Sequence, residues 1–158
     1  MRKQCKRKVI ARCVTPLIFK HCESAESVAD EWKDRIVCLY FSMLDHKFTD
    51  DDCGVVIEFF TLCAVIGSVA KNDGFDEYVT KTIQGMYAPY RRRTQNGRWI
   101  FTTDETEDLR ERMIALVDAI AALPKLTIKF AMHDVHHKQN RFYQTFRANA
   151  LNTGNHAA

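Results

Sequence analysis

One stretch limits what this chain can become: residues 53–70, Cys-Gly-Val-Val-Ile-Glu-Phe-Phe-Thr-Leu-Cys-Ala-Val-Ile-Gly-Ser-Val-Ala, with Glu58 as the only charge. Thr49 ahead of Asp50, Asp51 and Asp52 supplies a hydroxyl cap and carboxylates where a helix has free amide donors and its positive dipole end. Lys71, Asn72, Asp73 and Gly74 are expected to close the other end. A helix that is apolar on nearly every side must be covered by its neighbours. The run is slightly shorter than the ~20 residues a bilayer core requires, and it carries a carboxylate. No uninterrupted apolar segment follows the basic N-terminus before Lys20, so there is no export-signal pattern. The expectation is a cytoplasmic protein with no membrane part.

The chain has 158 residues, 46% of them hydrophobic, which suits one domain with a substantial core. Six Gly and three Pro are too few for a many-turned β-sandwich and favour long helices. Cys38, Cys53 and Cys63 lie in or beside apolar helical runs, where a free thiol behaves as a small hydrophobe. All six cysteines are read as reduced. The net charge of +3 hides a segregation. Residues 1–22 carry seven Lys or Arg and no acid, and residues 125–158 carry five against Asp134 alone. The middle therefore holds 11 of the 23 basic residues and 19 of the 20 acids. Such asymmetry bears on partners rather than on fold.

Residues 1–22 read as a basic arm (Arg2, Lys3, Lys6, Arg7, Lys8, Arg12) running into an extended segment, in which Pro16 breaks any helix across Val9–Phe19. Cys5, Cys13, His21 and Cys22 include zinc-ligand types but lack the paired knuckles of structural sites, so an apolar tether is the reading. Ser24 caps a first helix whose Val28, Trp32, Ile36, Leu39, Tyr40, Met43 and Leu44 share one stripe. Trp32 belongs to the core, and Glu58 is solvent-facing or paired with an arginine rather than a catalytic base. A third helix is expected over 75–90, ended by Pro89.

Arg91, Arg92, Arg93, Asn96-Gly97, Arg98 and Trp99 then suggest a short loop or hairpin insert at 91–101. Arginines beside an aromatic suit phosphate, base or carboxylate contacts. They equally suit neutralising the acids of the middle segment. Thr102 and Thr103 open a fourth helix, ended by Pro124. Thr127 is expected to cap a fifth, running to about Phe146 with a basic flank of Lys125, Lys129, His133 and His136. His133 and His137 are four apart, but no spacing fixes a third ligand, so no metal is assigned. Residues 148–158 carry no pattern and are expected to be disordered.

Ala88-Pro89-Tyr90-Arg91, Gly97-Arg98-Trp99 and Leu123-Pro124, following the basic start from Arg2 to Arg12, resemble small helical accessory proteins of tailed phages and prophages of Gram-negative bacteria. The resemblance covers the order of elements over residues 1–137 and brings no catalytic residue. It implies an accessory product acting on host machinery, defence systems or phage nucleic acid. The additional cysteines and the short basic tail depart from the pattern.

The resulting expectation is an all-α, single-domain bundle of about five helices around a buried central helix near 50–71. It has an arm at 1–22, a helical body at 23–147 and a tail at 148–158. The function expected is non-enzymatic: a phage-borne binding protein that modulates or inhibits a host or defence complex handling nucleic acid, an anti-CRISPR-like inhibitor being one concrete form. The alternative is a regulator that binds DNA or RNA directly. No cofactor is expected, the setting is the bacterial cytoplasm, and homodimerisation through Phe and Tyr patches stays open. The residues assigned to a partner are Arg91, Arg92, Arg93, Arg98 and Trp99, with the arm and the fifth helix's flank on nucleic acid or the same partner.

Overall fold

The computed structural model describes residues 24–71 and 73–153. Six helices follow one another: α1 (Ala25–Leu44), α2 (Asp50–Ala70), α3 (Asp73–Gln84), α4 (Tyr87–Asn96), α5 (Thr103–Ala121) and α6 (Lys125–Asn152). No strand occurs among the described residues, and the chain forms the all-α bundle its periodicity predicts.

The starts follow from side-chain chemistry. Ser24 Oγ accepts from the Ser27 amide at 3.1 Å. Thr49 and Asp52 form a reciprocal box: the Asp52 carboxylate accepts from the Thr49 amide at 2.8 Å, and Thr49 Oγ1 accepts from the Asp52 amide at 3.3 Å. Thr102 and Glu105 repeat the device ahead of α5. Each box satisfies two amides that the helix itself leaves without acceptors.

Helix α2 lies at the centre, packed on α6 and α3, while α1 pairs with α5. Val56, Phe59, Phe60, Leu62, Cys63 and Ile66 are buried, and the Trp32 and Phe59 rings meet at 4.9 Å, joining α1 to α2. Each large apolar side chain so buried contributes roughly 1.5–3 kcal/mol. Length and composition alone would let α2 cross a membrane, yet 67% of its most apolar window is buried inside the bundle. Its apolar surface is already consumed by neighbouring helices. At its C-terminal end, a Cβ on Gly67 would fall 1.8 Å from Asp76 Oδ1. The bare backbone there lets α3 approach.

Several expected boundaries move. The helix expected over 75–90 is two helices, split at Gly85 and Met86. A continuous helix would carry Pro89 in its interior, losing a backbone bond and clashing one turn back; restarting at Tyr87 puts Pro89 in a first turn, where no amide donor is needed. The insert expected at 91–101 is mostly helix, since α4 runs to Asn96. Gly97, at φ 74°, returns its amide to Arg93 O at 2.9 Å, so Asn96-Gly97 ends a helix instead of turning a hairpin. Lys71 alone closes α2, in the left-handed region, because Asp73 and Gly74 already belong to α3. Helix α6 starts after Pro124, not Thr127, and continues through 148–152, where the absence of an apolar pattern predicts a disordered tail. The burial of Phe146 and Ala150 explains that extension. Residues 1–22, with the arm, its apolar segment and the Cys5, Cys13, His21 and Cys22 group, lie outside the described residues, as do 154–158.

Candidate partner-binding surface

The arginine cluster of α4 folds inward onto the chain's own acceptors. Arg91 Nη1 donates to Ala150 O at 3.1 Å and to Thr153 Oγ1 at 2.8 Å, satisfying carbonyl and hydroxyl oxygens at the C-terminus of α6. Arg92 Nε donates to Ile100 O at 2.9 Å, and its Nη2 pairs with Glu105 of the α5 cap. Arg93 grips Asp50 with two bonds, Nε to Oδ1 at 3.0 Å and Nη2 to Oδ2 at 2.7 Å. Trp99 Nε1 donates to the same Asp50 Oδ1 at 2.8 Å. The Arg93 and Trp99 bonds hold the Asp50 carboxyl below its usual range.

Helix α4 is thus tied to the start of α2, the start of α5 and the end of α6. Trp99 is 8% exposed and stacks on Phe101, with the edge of Phe48 at 5.1 Å. An open cleft of about 380 Å³ remains beside Asp50, Arg93, Trp99, Tyr143 and Arg147, but Arg147 Nε already donates to Tyr90 Oη at 2.9 Å. Of the five residues assigned to a partner from sequence, Arg98 alone is exposed, and it has no hydrogen bond or ion pair among the described residues. The structure brings the other four together as an internal clamp.

Glu58 answers to the paired reading. Arg35 Nη1 stands 3.7 Å from its carboxylate, and Arg35 Nη2 bonds Glu31 at 2.7 Å. Burial pushes the Glu58 carboxyl up, opposed by the Arg35 charge. Burial also raises the Cys53 thiol to about 12 and the Cys63 thiol further, so both are inert; Cys38 is exposed.

The α6 flank differs. Ile128, Ala131, Val135 and Phe146 face the core, and Lys125, Lys129, His133 and His136 are all exposed. On the side opposite the core run Leu126, Phe130, His133 and His137, spaced four, three and four. Leu126 is 64% exposed and Phe130 61%, the largest values among the big apolar side chains of the described residues. With Lys129 and His133 they line an open hollow of about 380 Å³. The one acid of α6, Asp134, is held by Lys138 at 3.1 Å, which lowers its carboxyl. The His133 and His137 rings stand 6.3 Å apart, and no group of three or more metal-ligating side chains occurs among the described residues.

Sequence reasoning found the cations of this face and missed Leu126 and Phe130. Both lie half a turn away from the Ile128, Ala131 and Val135 stripe, and that offset was the available signal. No family model, curated protein or solved structure matches the chain.

Proposed function

We propose that the protein is a non-enzymatic binding protein that docks a partner on the outward face of α6. One observation carries the reading: Leu126 and Phe130 stand uncovered on a stripe rimmed by Lys125, Lys129, His133 and His136. Apolar side chains in the middle of a polar rim are the anatomy of an interface, because desolvating a few central anchors supplies most of the affinity. The cationic rim selects an acidic partner surface and steers its approach. In the setting the phage resemblance implies, that partner is a subunit of a host or defence complex handling nucleic acid, and inhibition of the anti-CRISPR kind is one outcome of occupying it.

The test is retention of partners from host lysate by immobilised wild type, Phe130→Ser and Lys129→Glu, each with unchanged helical circular dichroism. A protein retained by wild type and lost by Phe130→Ser supports the reading. Equal retention by all three overturns it. The basic flank also favours a second reading, direct nucleic-acid binding with Phe130 stacked on a base. Affinity for labelled duplex or single strands that falls steeply with salt would select it.

A further inference from the structure

The outward face of α1 complements the outward face of α6. Glu26, Asp30, Asp34, Val37 and Phe41 are all exposed and fall on one row, spaced four, four, three and four. Val37 is 45% exposed and Phe41 56%, on the side opposite the buried Trp32, Ile36, Leu39 and Met43. None of the three acids has a hydrogen bond or ion pair among the described residues, and the cation beside them, Lys33, is taken by Asp118 at 2.9 Å. The face is therefore acidic in its first half and apolar in its second.

On α6 the row Leu126, Phe130, His133 and His137 continues one step to Arg141, also exposed, giving spacings of four, three, four and four. Run antiparallel, the two rows have the same spacing. One register then matches at every step: Phe41 on Leu126, Val37 on Phe130, Asp34 on His133, Asp30 on His137 and Glu26 on Arg141. Apolar side chains meet at two steps, and carboxylates meet imidazole or guanidinium donors at three. His133 keeps Nε2 for this contact, since Asp134 of its own helix stands 3.6 Å from Nδ1. The parallel arrangement would instead lay the acids of α1 on Leu126 and Phe130.

We propose, resting on the reading of α6 as a docking face, that α1 of one copy docks antiparallel on α6 of a second copy. The face offered to a host partner is then occupied by the protein itself until that partner displaces it. The matched rows run about 22 Å along each helix, a contact at the small end of protein interfaces, so association is expected in the micromolar range, where a partner can compete. Every copy carries both faces, so the contact either closes on a two-fold axis or propagates to larger species.

Sedimentation velocity on the purified full chain under reducing conditions, from about 5 to about 200 µM, reads the contact. Wild type is expected to pass from monomer to dimer or larger species. The α1 variant Asp30→Lys with Asp34→Lys and the α6 variant His133→Asp with His137→Asp should each associate about tenfold more weakly, with unchanged helical circular dichroism. An equimolar mixture of the two should recover wild-type association, because the new cations of one then face the new carboxylates of the other. A wild type that stays monomeric to about 200 µM overturns the proposal, and so does a mixture no better than its components. A monomeric wild type that still retains its lysate partner overturns the self-contact alone. Self-association with equal lysate retention by wild type and Phe130→Ser overturns the host-partner reading alone.

Discussion

Replacing Asp50 with Ala should show whether the α4 arginines hold the fold together or stand ready for a partner. Asp50 accepts three donors, two from Arg93 and one from Trp99. Its own side chain is 66% exposed, so solvent screening keeps the ion pair near the upper end of an exposed bidentate contact, about 1 kcal/mol. Its place in the first turn of α2 adds roughly 0.3–1 kcal/mol through the dipole. The Trp99 indole N–H loses its acceptor, which costs about 1 kcal/mol where water can partly replace it. The total is about 2–3 kcal/mol, or a fall in Tm of very roughly 4–12 °C for a chain of this size. Urea unfolding followed by circular dichroism reads the change directly. Arg93→Gln alone and with Asp50→Ala completes a cycle, and coupling of about 0.5–1.5 kcal/mol is expected. A loss under about 0.5 kcal/mol for Asp50→Ala would refute the clamp and return Arg93 and Trp99 to the candidate interface. Acidity should act likewise. The folded pKa of Asp50 is depressed, so its contribution is present above the unfolded value near ~3.9 and disappears as pH falls through the lower folded value.

Three further outcomes follow from the same geometry. Arg35→Met leaves Glu31 and Glu58 beside each other in a largely buried site without the cation between them, which should cost about 2–4 kcal/mol at neutral pH, read by urea unfolding. Glu58→Gln should be near neutral or mildly stabilising at pH 7: its folded pKa is raised, so the charged form opposes folding, and the variant removes a loss of stability seen as pH rises through that value. Alkylation with mass-spectrometric mapping should modify Cys38 in the native state and reach Cys53 and Cys63 only in denaturant.

The helical architecture was legible because the apolar spacing, the Thr49 and Thr102 caps and the acids behind them all favour the same elements. What escaped was decided by contacts between distant parts of the chain. Asn96-Gly97 satisfies a hairpin rule and a helix-ending rule equally well, and the bonds from Arg91, Arg92 and Arg93 to α6, α5 and α2 select the second. The final turns of α6 looked patternless because they have only Phe146 and Ala150 facing in, and Arg91 caps them from 59 residues away. No local window contains that information.

The charge map shows why a cluster of cations is weak grounds for a binding site. Helix α2 needs Asp50, Asp51 and Asp52 at its start, and α5 needs Glu105. Placing these carboxylates on neighbouring elements creates a demand for cations between them, and Arg92 and Arg93 meet it from the helix that passes there. A functional cation must be surplus to that demand. Among the described residues Arg98, Lys125 and Lys129 satisfy the condition, since Asp134, the only acid of α6, is held by Lys138 at 3.1 Å with His133 at 3.6 Å. Coincidence of that surplus with uncovered Leu126 and Phe130 is what moves the candidate surface from α4 to α6. Bundle packing among the described residues gives no reason for two large apolar side chains to face water beside Lys125 and Lys129, whereas an acidic partner with an apolar hollow does.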